Sequence, residues 1–343
     1  MKRLAFSVPM LAFLFLLSPA RAKAQAPKLT PNSADEPLAR AFSLARSAAV
    51  LDNQSLAWTQ QRKCGTCHTN YPYLLARPLL KGDTAALTEV RTFFEKRIAN
   101  WDSGKKEDKP RWDTEVVATG ATLAIQDALT TGKLHPLTRQ ALDRIWKLQQ
   151  PEGAWNWLKC NWPPTEHDDY YGAVYAALGV GYAPDHYAQT DQAKAGLEKL
   201  RRYFKNNPPP SLHHKAMLLW ASLRVERLMS DNLRKSTVKE LLAAQRADGG
   251  WSLPTLGDWT GRDERPNDRL APSDGYATGL TIYVLRQAGV PVAHEQIQKG
   301  VAWLKQNQRE SGRWFTRSLN TDNYHFITHA GTAYAVMALK ACE

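Results

Sequence analysis

The sequence predicts an all-α protein of about six helical hairpins closed into an α6/α6 barrel. Three observations predict it. A Gln, Gly, Trp signature recurs three times with the same internal spacing; each copy ends an amphipathic stretch; and each is followed by a second helix rich in small residues.

The three copies are Gln149, Gly153 and Trp155; Gln245, Gly249 and Trp251; and Gln308, Gly312 and Trp314. Apolar residues at helical spacing precede each: Leu142, Ile145, Trp146 and Leu148; Leu241 and Leu242; Val301, Trp303 and Leu304. The glycine is therefore expected to stop a helix in a left-handed turn, and the tryptophan to fold back onto the neighbouring helix. An Asp-x-Tyr then opens the next helix: Asp169-Tyr170-Tyr171, Asp274-Gly275-Tyr276 and Asp322-Asn323-Tyr324. An Asp there caps free N–H groups. The second helices carry Ala173, Ala176, Ala177 and Gly179; Ala277 and Gly279; and Ala330, Gly331, Ala333, Ala335 and Ala338. Small side chains let backbones approach closely, as helices crowded around one axis must.

Weaker units, 84–100 with 113–131 and 190–206 with 211–229, fill the gaps, and a pair around 36–80 brings the count to about six. Six inner and six outer helices can close on themselves, which removes the uncapped ends of an open array, the alternative architecture.

The chain begins with Met1-Lys2-Arg3, an apolar run from Leu4 to Leu17, and Ala22-Lys23-Ala24, the layout of a cleavable secretory signal. Cleavage near Ala24 makes the protein periplasmic or secreted, with residues 25–343 as one domain. The apolar run is too short to span a bilayer comfortably. Removing residues 1–24 takes away Lys2, Arg3, Arg21 and Lys23, so the formal charge falls from +12 to +8. That excess suits an acidic redox partner or an anionic surface, including peripheral membrane contact. No basic-aromatic interleaving points to nucleic acid. The 4 cysteines are one close pair plus Cys160 and Cys342, which is not a disulfide scaffold. The two singles are either buried apolar thiols or one bridge.

The close pair carries the chemistry. Gln61-Arg62-Lys63-Cys64-Gly65-Thr66-Cys67-His68 keeps the repeat's Gln and its Gly four residues on, and puts Cys67 where the Trp belongs. Two thiols three apart can reach the vinyl groups on one haem edge, and the next His can bind the iron, so this is the pattern for one covalent haem c with His68 proximal. A thioredoxin-like pair would need a βαβ context, and a partial zinc site is the other competitor. If the turns share one mouth, His213, His214, His325 and His329 are candidates for the distal position, with Met217. At the same mouth, His167, Asp168 and Asp169 form a dense cluster. Capping by one Asp leaves the other, which buried beside its neighbour would hold a raised pKa and serve as a general acid.

Repeats of Gln-x3-Gly-x-Trp between helix pairs resemble the QW motifs of the squalene–hopene cyclase and protein prenyltransferase superfamily, over about residues 84–343. The resemblance implies an α/α toroid with a concave, aromatic-lined cavity, walled by Trp155, Trp157, Trp162, Tyr170, Tyr171 and Trp259, and an apolar or isoprenoid ligand. The cyclases' Asp-x-Asp-Asp-Thr-Ala proton donor is absent; His167-Asp168-Asp169-Tyr170 is its nearest approach. Of the prenyltransferase zinc ligands, Asp274 and the His325 of Asp322-Asn323-Tyr324-His325 match, but Tyr276 replaces the Cys, so zinc is not expected. The first expectation is thus an exported c-type haem protein passing electrons or working at the barrel mouth. The second is a terpenoid-cyclase-like enzyme using Asp168 or Asp169, which a deep apolar cavity would favour. The third is a non-catalytic binding toroid.

Overall fold

The computed structural model describes residues 29–82, 84–261 and 264–343, so the expected signal over 1–24 lies outside the described residues. Among these residues twelve α-helices alternate between two rings. The outer ring is α1 (Leu44–Arg62), α3 (Ala85–Asn100), α5 (Pro136–Leu148), α7 (Asp191–Asn206), α9 (Asp231–Ala243) and α11 (Glu295–Gln306). The inner ring is α2 (Asn70–Ala76), α4 (Asp113–Thr130), α6 (Asp169–Tyr182), α8 (Leu212–Ser222), α10 (Gly275–Gln287) and α12 (Phe326–Lys340).

Patterning sorts the rings. Outer α5 buries one stripe, Thr138, Ala141, Leu142, Ile145 and Trp146, while inner α6, α10 and α12 are buried over most of their circumference. The inner helices touch in cyclic order, with α12 against both α10 and α2, so the ring is closed and the open array is overturned. The small residues lie where backbones crowd. A Cβ on Gly179 would sit 2.2 Å from the Ala121 Cα, and one on Gly279 would sit 2.4 Å from the Ala335 N.

The three QW corners are built alike, and they refine two expectations. Gly153, Gly249 and Gly312 do adopt positive φ (111°, 89° and 95°), but beyond the helix ends: α5 stops at Leu148. Their work is close approach to the next outer helix. An added Cβ would fall 2.5 Å from Lys199 O, 3.1 Å from Lys299 O and 2.4 Å from the Arg46 carbonyl carbon. The glutamine amide then joins corner to helix. Gln149 donates to Gly153 O and Gly196 O, Gln245 to Gly249 O and Gln296 O, and Gln308 to Gly312 O and Ser43 O. Each Trp donates back to its own preceding helix rather than to the neighbour: Trp155 to Ile145 O, Trp251 to Leu241 O and Trp314 to Leu304 O. The third corner thereby locks the last hairpin onto α1.

Two inner helices start as expected. Asp168, one residue before the expected Asp169, accepts from Tyr171 N, and Asp274 accepts from Ala277 N. Asp322 does not cap α12, which begins four residues later; it accepts instead from Ser318 N and the Asn32 side chain, tying in the N-terminal segment. No helix among the described residues is long and apolar enough to cross a membrane.

Candidate functional site at the Cys64–His68 corner

The fourth corner uses a different device. Lys63 takes the left-handed conformation (φ 50°) and its N–H donates to Thr59 O, ending α1 before Gly65 is reached. Gly65 has no positive φ; it is small because a Cβ would meet the Tyr71 hydroxyl at 2.3 Å and Phe94 at 2.9 Å. Trp58 Nε1 donates to Cys64 O at 3.0 Å, and Asn70 Oδ1 accepts from Thr66 N at 2.8 Å. These bonds hold the loop in place of a Gln–Trp staple.

Cys64 is half-buried at the rim and Cys67 is buried; both are free thiols, as are the exposed Cys160 and half-buried Cys342, so Cys160 and Cys342 form no bridge. Burial pushes the Cys64 thiol up against the pull of Arg111. Burial, with Glu166 and Cys160 alongside, pushes Cys67 far above the usual thiol value. His68 is buried, stacked on Phe326 at 5.3 Å, with its Nε2 3.5 Å from Glu166 Oε1. Cys160 Sγ donates to Glu166 Oε2 at 2.7 Å. Burial alone would raise Glu166, but His68, Cys160 and Cys67 around it hold the carboxyl below its ordinary value. Sequence reasoning missed Glu166; its only signal was its place beside His167 in an already dense polar run.

The candidate ligands at the mouth fall into two groups. Near His68, His325 Nε2 meets Thr69 Oγ1 at 2.9 Å and His329 Nε2 meets Ser55 Oγ at 3.0 Å. Burial, then the charge of His68, drives His325 down to about 3, and burial drives His329 well below the usual imidazole value. The second group spans α6 and α8. His214 Nδ1 meets Ser211 Oγ at 2.7 Å and its Nε2 meets Asp168 Oδ2 at 3.0 Å. His213 Nε2 meets Tyr276 OH at 3.1 Å, leaving Nδ1 buried without a partner. Met217 is fully buried on α8.

The expected acid does not have an acid's environment. Burial raises Asp168, but the hydrogen bond and charge of His214 more than offset this, so its carboxyl is held below the usual range. Asp169 accepts from Trp157 N at 2.9 Å and pairs with Lys159 at 2.7 Å, pinning the segment after the first QW corner. His167 is half-buried beside Asp168, on which its charge acts. Asp274 is the carboxyl that burial lifts, to about 6, yet its oxygens accept from Ala277 N, Leu253 N and Thr316 Oγ1. It lies in a different network from His325, and among the described residues no three His, Cys, Asp or Glu converge as metal ligands.

The expected cavity on the axis is filled, and of the aromatics expected to wall it Tyr171 lines what remains. Tyr71, Tyr171, Tyr175 and Tyr334 close around a space of about 10 Å³, enough for about one water. Tyr71 and Tyr175 bond to Thr119 and Thr122. Trp155 is a buried staple, while Trp157 donates to Thr165 O. Open space lies beside the thiols instead. Cys64 and Cys67 face a pocket of about 110 Å³ that also takes in Arg111, Trp112 and Glu166. Arg111 and Trp112 line in turn a groove of about 690 Å³, within the range of small-molecule and cofactor sites. Two thiols on the wall of a widening space fit a porphyrin edge held by thioethers. The His68 ring is adjacent but faces Glu166, so ligation of iron requires that contact to open.

No family model matches the chain. It is 24% identical over 295 residues to a squalene–hopene cyclase of Zymomonas mobilis, a match covering 70% of this chain and 42% of that protein. The chain thus spans less than half the length of that relative. Among solved structures it resembles an ent-copalyl diphosphate synthase from Streptomyces platensis, with a TM-score of 0.52 and 13% identity, over 79% of this chain and 50% of the other. With a closed double ring and three QW staples, the chain is an α/α toroid, and the Streptomyces platensis synthase shares that fold.

Proposed function

We propose that this protein is an exported toroid of the terpenoid-cyclase type whose working centre is the Cys64–His68 corner, carrying one covalently attached haem c. The observation that carries the reading is the replacement of a QW staple by Cys64-x-x-Cys67-His68, with both thiols on the wall of a pocket leading to a groove of cofactor size. Cys64 and Cys67 would hold the group, and His68 would take the proximal position, shielded by Phe326 and Trp162. Bound there, haem supplies reversible one-electron transfer. Once the contact between Glu166 and His68 Nε2 opens, Glu166 would remain beside the ring as a carboxylate acceptor for the other ring N–H. Of the distal candidates, His325 would be the first to test, since its Nε2 lies 2.9 Å from Thr69 Oγ1, next in the chain to His68. The basic surface suits an acidic redox partner.

The test is to express the chain with haem-attachment machinery, recover it from the cell envelope, and record its absorption spectra and mass. A haem adduct lost in Cys64→Ala/Cys67→Ala supports the reading; colourless wild-type protein of unmodified polypeptide mass removes it.

A second reading, cyclisation of an isoprenoid by protonation from Asp168 or Asp169, is favoured by the Zymomonas relative, itself a squalene–hopene cyclase. The filled axis and the depressed Asp168 weigh against it. Incubation of the purified chain with squalene decides the matter: a cyclised product abolished by Asp168→Asn/Asp169→Asn would establish this reading, and its absence would dismiss it.

A further inference from the structure

The loop from α3 to α4, with its lysines at 105, 106 and 109, has no part in the staples or the histidine networks, yet it builds a groove adjoining the thiol pocket. Trp101, Lys109, Arg111, Trp112 and Arg144 line the groove. Its acids are engaged: Asp102 pairs with Arg144 at 2.7 Å, Glu115 at the adjoining pocket pairs with Arg97 at 2.7 Å, and Asp113 accepts from Asn156 N at 3.2 Å. Lys109 and Arg111 are exposed, and among the described residues their side chains have no ion pair. Trp112 is 58% exposed beside them, while Trp101, sealed in the groove wall, keeps an indole N–H without an acceptor. Two free cations and an exposed indole form a surface suited to a flat body with anionic substituents. Arg111 and Trp112 also line the pocket faced by Cys64 and Cys67, so the groove continues from the thiols.

We propose that this groove is a recognition bed for the carboxylate-bearing edge of a tetrapyrrole, with Lys109 and Arg111 taking the carboxylates and Trp112 covering the ring face. The proposal rests on the haem reading for its ligand, but the bed is a property of the non-covalent surface. It orients the tetrapyrrole so that the edge opposite the carboxylates meets the thiols, and attachment follows recognition.

The test uses the full chain produced without attachment machinery, titrated with metal-free protoporphyrin IX and read by tryptophan quenching. Saturable binding that weakens about tenfold or more in Lys109→Gln/Arg111→Gln supports the bed, provided that the porphyrin's dimethyl ester binds wild type and variant alike. The control Lys235→Gln/Lys239→Gln removes equal charge from α9. Absence of wild-type binding, equal binding by the groove variant, or an equal loss in the control overturns the proposal. Failure here is distinguishable from failure of the haem reading. A wild-type haem adduct with a failed titration removes the bed alone, whereas unmodified mass with a positive titration removes attachment alone.

Discussion

The corner at 308–314 and the corner at 61–68 occupy equivalent places in the ring and are held together by opposite means. At the first, Gln308 bridges Gly312 O and Ser43 O, and Trp314 bonds Leu304 O, so nearly every polar group of the motif serves closure. At the second, Trp58 and Asn70, both outside the motif, hold the loop, and Cys64 and Cys67 are left at a pocket wall. A repeat position released from structural duty is one where reactive residues are tolerated.

The sharpest way to break this comparison is to truncate the equivalent side chains. Trp314→Ala should lose about 3–5 kcal/mol in urea unfolding, as expected for a fully buried indole, whereas Cys67→Ala should lose about 1 kcal/mol. Equal losses would show that the fourth corner is as structural as the third.

The two kinds of corner should also respond oppositely to pH. Asp274, bonded to the segment after Trp251, has a folded-state pKa raised to about 6. Its contribution is therefore fully present below the unfolded carboxyl value near 4 and is lost as pH rises to 6, by up to about 3 kcal/mol. In Asp274→Asn that part of the pH–stability curve should flatten. His325, beside the Cys64–His68 corner, is depressed to about 3, so its contribution is lost as pH falls below about 6.5, by about 1.4 kcal/mol per unit. His325→Gln should remove that slope and leave the Asp274 effect intact, as pH-dependent denaturation would show.

Smaller effects should follow at single polar groups. Gln308→Ala should cost about 2 kcal/mol by removing the amide that accepts from Ser43 N and donates to Ser43 O and Gly312 O. Cys64→Ala should stay within about 1 kcal/mol in thermal melts while abolishing the covalent attachment proposed for this corner. If Cys64→Ala proves the more destabilising, the division of labour between the corners is wrong.

Most of the ring was readable because QW spacing, small-residue stripes and apolar periodicity are local signals. The details that escaped depend on partners distant in sequence. That Gly312 must be small is decided by Arg46, and that Gly65 must be small by Tyr71 and Phe94. Asp322 has the spacing of a helix cap, but its oxygens serve Asn32 from the other end of the chain. At the site, the thiols and His68 were legible as a contiguous motif. Glu166 was not, because its role arises from a loop nearly a hundred residues away. Tyr171 on the axis looked like a cavity wall because sequence cannot say whether an aromatic ring faces a space or occupies it, and Tyr71, Tyr175 and Tyr334 around it carried no such signal.

Closure of α12 onto α2, with Gln308 latched to Ser43, gives the folding of this protein a strict order of completion. The contacts that finish the ring join the first hairpin to the last, so the topology is dominated at that seam by long-range pairs, and such pairs form late and slowly. The same seam makes the molecule a good subject for circular permutation: linking residue 343 to residue 29 and reopening the chain at 207–210 should preserve the architecture while moving the slow step elsewhere.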